Sequence, residues 1–122
     1  MKKVLIADDN PDILWVVEFL LKKNGFEVIS TLDGNEVISS IAENNPDLVL
    51  LDVFLSGVDG RDLCNSIKSS AETKNIPVIM FSAHTNIADV MRVCKADDFV
   101  AKPFDSHFLI DKINQQIEMH SN

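Results

Sequence analysis

The chain has 122 residues, 46% of them hydrophobic and 25% charged, with a net charge of −8 from 19 acidic against 11 basic side chains. Those values describe one globular domain large enough to bury a core, and they exclude duplex nucleic acid as an expected direct ligand. Two cysteines, Cys64 and Cys94, are too few for a disulfide framework and lack zinc-ligand spacing.

Lys3 to Ala7 (KVLIA) reads as a buried strand that ends in Asp8 and Asp9. From Pro11 to about Lys23 the pattern is helical, with Pro11 suited to the first turn and Gly25 closing the end. On this helix Ile13, Leu14, Val16, Val17, Leu20 and Leu21 are expected to face the core. Trp15 and Phe19 fall on the opposite side, where an outer helix should be polar; the bland reading is a ring pair four residues apart, and the functional one is a protein-contact patch.

Phe26 to Thr31 is a second strand, and Asp33 caps a second helix through about Glu43, with Glu36 as capping-box partner. Asn44, Asn45 and Pro46 break that helix. Leu48, Val49, Leu50 and Leu51 then form an apolar run short enough for a strand buried on both faces, with Asp52 directly after it. Gly57 and Gly60 turn the chain toward a third helix over about Arg61 to Ser69. Pro77 opens a fourth strand, VIMFS, ending at Ser82. A fourth helix carries Ile87, Val90, Met91 and Cys94 on one face. A short strand at Phe99 to Ala101 leads to Lys102, and Asp105 or Ser106 caps a last helix lined by Leu109, Ile113 and Ile117. Both cysteines fall in the amphipathic helices and read as small buried hydrophobes.

Five alternations of strand and helix predict an α/β fold, a doubly wound parallel sheet with helices on both faces. Strand carboxyl ends share one edge, where ligands bind. In the flavodoxin-like order 2-1-3-4-5, strands one and three are neighbours, and Asp8, Asp9 and Asp52 gather with Ser82 and Lys102 beside them. Three packed carboxylates repel and raise one another's pKa unless positive charge sits among them. Lys102 supplies one charge; a divalent ion would supply two, and an all-oxygen site suits Mg²⁺ rather than zinc or copper. Such a site could hold a phosphoryl group on one carboxylate, with metal, Lys102 and the Ser82 hydroxyl on its oxygens. Singly, the aspartates or the serine could be helix caps and the lysine a surface residue; their placement together on four strand ends favours phosphoryl chemistry.

The segments IADDNPD, LLDVFLSGVDG, FSA and DDFVAKPFD resemble the motifs of the response-regulator receiver domain over essentially the whole chain. The resemblance implies that Asp52 accepts phosphate from a histidine kinase or a histidine phosphotransfer protein. It also implies that Asp9 and Asp52 bind magnesium with the Phe54 backbone carbonyl while Asp8 assists, that Lys102 neutralises the phosphoryl group, that Ser82 is drawn onto it, and that Phe99 rotates inward as an aromatic switch. Phe54 and His84, two residues beyond Asp52 and Ser82, would flank the line of water attack and tune the lifetime of the phosphorylated form. His84 also reads simply as a solvated loop residue. A receiver of this kind accepts and slowly loses its own phosphoryl group without being a turnover enzyme, and then changes its binding to a downstream protein target.

Three departures stand out. Ser56 replaces the usual proline, Lys95 replaces the glycine expected before Ala96, and the fourth helix region between Ser82 and Lys102 is shorter than usual. The first expectation is a stand-alone receiver over residues 1–122 with no output domain, cytoplasmic, without membrane insertion, and able to form a homodimer. The second is a receiver belonging to a longer kinase or transcription regulator. From another class, an Mg²⁺-dependent phosphatase with an aspartyl nucleophile wants a second acid two residues after Asp52, where Phe54 stands. A flavin-binding protein would need a phosphate-cradling loop after the first strand, and none follows.

Overall fold

The computed structural model describes residues 1–83 and 87–120. Five strands, β1 (Lys3–Ala7), β2 (Glu27–Thr31), β3 (Leu48–Asp52), β4 (Val78–Ser82) and β5 (Asp98–Ala101), form one parallel sheet in the order β2-β1-β3-β4-β5. This is the flavodoxin-like doubly wound order expected from the alternation. Five helices cover it: α1 (Pro11–Lys23), α2 (Val37–Asn44), α3 (Gly60–Ser69), α4 (Ile87–Val93) and α5 (Ser106–His120). No helix among the described residues is long and apolar enough to cross a membrane.

Alternate strand residues feed two cores. Leu5, Val49, Leu51, Val78, Met80 and Phe99 pack with Val37, Ile41, Cys64, Ile67 and Val90 from α2, α3 and α4, and with Cys94 just past the end of α4. On the other face Val4, Ile6, Leu48, Leu50, Ile79, Phe81 and Val100 meet Leu14, Val17 and Leu21 of α1 and Leu109, Ile113 and Ile117 of α5. β3 and β4 are buried along their whole length, as unbroken apolar runs require. Both cysteines are free and buried, and burial and the neighbouring Cys94 push the Cys64 thiol above its ordinary range, as for an inert core residue.

Local chemistry fixes the ends. Asn10 caps α1, its side-chain oxygen accepting from the Asp12 and Ile13 N–H groups at 2.9 and 3.4 Å. Asp105, rather than Ser106, caps α5 through the Phe108 N–H at 3.1 Å. Asn45, at φ 49°, ends α2 in the left-handed region.

Several details differ from the pattern read in the sequence. Asp33 caps a separate 3-10 turn, Gly34–Glu36, and α2 begins only at Val37. The capping box does not form, because the Asp33 N–H donates to Thr31 Oγ1 at 3.1 Å and the Glu36 carboxylate accepts from that same hydroxyl. On α1, Val16 is 48% exposed instead of core-facing. At 100° per residue it lies about 130° from the centre of the Leu14–Val17–Leu21 stripe, while Ile13 and Leu20 stay close enough to be half-buried. Val90 of α4 and Cys94, just past its end, are buried as expected; the side chains of Ile87 and Met91 lie outside the described set. Between β3 and α3 the chain forms an unanticipated antiparallel ribbon, Phe54–Leu55 against Val58–Asp59.

Lys95 replaces a helix-ending glycine without leaving the end of α4 uncapped. Asn65 of α3 takes over, its Nδ2 donating to the Val93 carbonyl at 2.8 Å and its Oδ1 accepting from the Lys95 N–H at 3.0 Å.

Candidate functional site

Register sets the site. Ala7 stands beside Leu51, Asp52 beside Phe81, and Ser82 beside Ala101. The residues that leave or close the strands, Asp8, Asp9, Asp52, Ser82 and Lys102, therefore share the carboxyl edge of the sheet. One carboxylate oxygen from each of Asp8, Asp9 and Asp52 lies within 4.8 Å of the others.

Asp8 is buried, and its Oδ2 accepts from Lys102 Nζ at 2.5 Å while its Oδ1 accepts from the Asn10 N–H at 2.9 Å. The same ammonium lies 3.4 Å from Asp52 Oδ2 and 4.3 Å from the centre of the Phe81 ring. Lys102 thus bridges two carboxylates over an aromatic floor. Its own N–H donates to the Ser82 carbonyl at 3.1 Å, which ties β5 to β4 at the site. The Lys102–Pro103 peptide is cis.

Asp52 is almost wholly buried, and its Oδ1 accepts from the Val53 N–H at 2.8 Å. Burial first, and the Asp8 charge second, push its carboxyl up to about 6, although Lys102 pulls the other way. One ammonium is too little positive charge for this cluster. Three clustered oxygen donors with excess negative charge fit a hard divalent cation, the chemistry expected for Mg²⁺.

Gly60 shows how tightly the ribbon folds back on the site. Its N–H donates to the Val53 carbonyl at 2.7 Å, and a Cβ on it would stand 1.9 Å from the Asp52 carbonyl oxygen, so only glycine fits.

Of the other residues singled out in the sequence, Ser82 is buried at the end of β4. The Phe54 ring is 56% exposed on the ribbon that follows Asp52. Phe99, the residue read as the aromatic switch, is 7% exposed and packs in the core with Val90 and Cys94. Trp15 and Phe19 are 69% and 61% exposed, their rings stacked at 6.0 Å and 13°. His84 lies outside the described residues.

Ser56 was visible in the sequence only as a missing proline. The structure brings it to Asp9, 47 positions away, its N–H and Oγ standing 3.2 and 3.3 Å from Asp9 Oδ2. No local pattern signals that contact, because it depends on how the ribbon returns over the end of β1.

Comparison with known proteins agrees with this geometry. A family model described as the response regulator receiver domain matches residues 4–114. The receiver domain of NtrX from Brucella abortus is 33% identical, with a TM-score of 0.85, covering 94% of this chain and 98% of that one. The N-terminal signal receiver domain of a two-component system response regulator from Bacteroides fragilis is 32% identical, with a TM-score of 0.84 and coverages of 96% and 97%. The signal receiver domain of a signal transduction histidine kinase from Syntrophus aciditrophicus is 28% identical, with a TM-score of 0.88 and coverages of 97% and 91%.

Proposed function

The chain belongs to the response regulator receiver family, and from that premise we propose that it is a phosphoacceptor switch whose reacting group is Asp52. The observation that carries this reading is the bridge of Lys102 Nζ between Asp8 and Asp52, at 2.5 and 3.4 Å, inside a cluster of three carboxylates. A carboxylate destined to carry a phosphoryl group needs a fixed cation beside it, because charge accumulates on the oxygens in transfer.

In the proposed step a carboxylate oxygen of Asp52 forms a bond to phosphorus while the bond from phosphorus to a donor imidazole nitrogen breaks. The donor is a phosphohistidine on a histidine kinase or a histidine phosphotransfer protein. Asp8, Asp9, Asp52 and the Phe54 carbonyl would hold Mg²⁺, which when bound supplies positive charge opposite the phosphoryl oxygens. Lys102 follows the new charge from its place between the carboxylates. Ser82 donates its hydroxyl to a phosphoryl oxygen, and Phe99, already inside, locks that arrangement rather than swinging in from solvent. Water later cleaves the acyl phosphate, and Phe54 and His84 are the residues we assign to govern its approach. The domain is thereby a switch and not a turnover enzyme, and Trp15 and Phe19 form a face for the donor or for a second copy of the chain.

The test is incubation with a small acyl phosphate and Mg²⁺. One phosphoryl group is added to the native chain and none to Asp52→Asn; equal labelling of the variant overturns the assignment.

A further inference from the structure

The ribbon beyond Asp52 turns through two residues, Ser56 and Gly57, with φ of 40° and 87°. A two-residue type I′ hairpin turn requires positive φ at both positions, and glycine or asparagine takes the first most readily. Proline, fixed near −65°, is excluded there. Serine in the left-handed region costs on the order of 1 kcal/mol that glycine does not. Turn geometry alone therefore does not account for serine.

What serine adds over glycine is a hydroxyl, a second donor beside the backbone N–H on one oxygen. Its N–H lies 3.2 Å and its Oγ 3.3 Å from Asp9 Oδ2. Asp9 is exposed, and among the described residues no other group donates to its carboxylate. A short exposed side chain held at one oxygen loses its freedom to swing into solvent, and its second oxygen is presented in a fixed direction. Outer partners of this kind orient metal-binding carboxylates, and their loss weakens metal binding by about 10–100-fold.

We infer that Ser56 is a positioning residue that holds Asp9 ready for Mg²⁺, a role a proline could not fill because it has neither the N–H nor the hydroxyl. The inference rests on the reading of Asp8, Asp9 and Asp52 as the Mg²⁺ site. Its contribution is made before phosphorylation, in the affinity of the resting chain for the ion.

Ser56→Gly isolates the effect, because glycine suits the turn and keeps the N–H while deleting the hydroxyl. Calorimetric titration with Mg²⁺ is expected to give a Kd raised about tenfold, while thermal melting in a chelator gives an equal or higher Tm. Weakened Mg²⁺ affinity without loss of metal-free stability is what a purely structural serine would not produce. An unchanged Kd, or a Kd that rises only together with a lowered Tm in the chelator, overturns the inference while leaving the metal site standing. Absence of any Mg²⁺ binding by the native chain overturns the site reading itself, and the role of Ser56 with it.

Discussion

At the scale of single residues, Asp52 carries the clearest electrostatic signature. Its carboxyl titrates near 6 in the folded chain against 3.8 for an unperturbed aspartate, chiefly through burial and then through Asp8. Between those values the folded state holds a proton that the unfolded chain has released, so this group's contribution to stability is present below pH 3.8 and is lost as pH rises through about 6. Asp52→Asn removes the penalty. In metal-free buffer the variant is expected to be more stable than the native chain by on the order of 1–3 kcal/mol above pH 6, with the gap closing toward pH 4. Melting curves across that range check this, and a pH-independent gap contradicts it. Phe54 makes the second prediction at this scale: its exposed side chain follows the acceptor by two positions, and in the proposed switch it is the group that would screen the acyl phosphate from water. Phe54→Ala should shorten the lifetime of the phosphorylated form, read as a faster hydrolysis rate; an unchanged rate removes Phe54 from that role. Asp8, Asp9, Asp52 and Lys102 were legible because each follows an apolar run that could only be a buried strand. The Ser56 contact was not, because it joins residues 47 positions apart through a turn whose handedness no periodicity reveals.

At the scale of elements, α1 shows both the reach and the limit of a helical pattern. The apolar period placed Leu14, Val17 and Leu21 in the core and set Trp15 and Phe19 outside, as found. It misjudged Val16, which joins the exposed side and widens the apolar patch there. The stacked rings satisfy each other by only a few tenths of a kcal/mol as an i, i+4 pair, so folding alone gives little reason to keep them. Trp15→Ala combined with Phe19→Ala should preserve the far-UV circular dichroism, the Tm within a few degrees and labelling by a small acyl phosphate. It should weaken binding to a phosphohistidine donor or self-association, measured by sedimentation. Unfolding of the double variant would return the rings to the core, and unchanged association would remove the patch from function. α4 teaches the converse: its end depends on Asn65, about one helix and one strand earlier in the chain, a cap that no reading of residues 87–95 alone could supply.

At the scale of the whole molecule, the alternation of five strands and five helices was legible from apolar runs and turn residues, and the sheet order followed the flavodoxin-like rule. What remained hidden was fine placement across the sheet edge: the ribbon after Asp52 and the glycine forced at position 60 by the Asp52 carbonyl. These arise from contacts between distant segments, where local propensity carries little information. The central claim is that this edge exists to place a phosphoryl group on Asp52 and on no other carboxylate. Borohydride reduces an aspartyl phosphate to homoserine, which peptide mass spectrometry can locate after treatment of the chain with a small acyl phosphate and Mg²⁺. The account predicts homoserine at position 52 alone, and none when Mg²⁺ is chelated; homoserine at position 8 or 9, or none at any position with Mg²⁺ present, would contradict it.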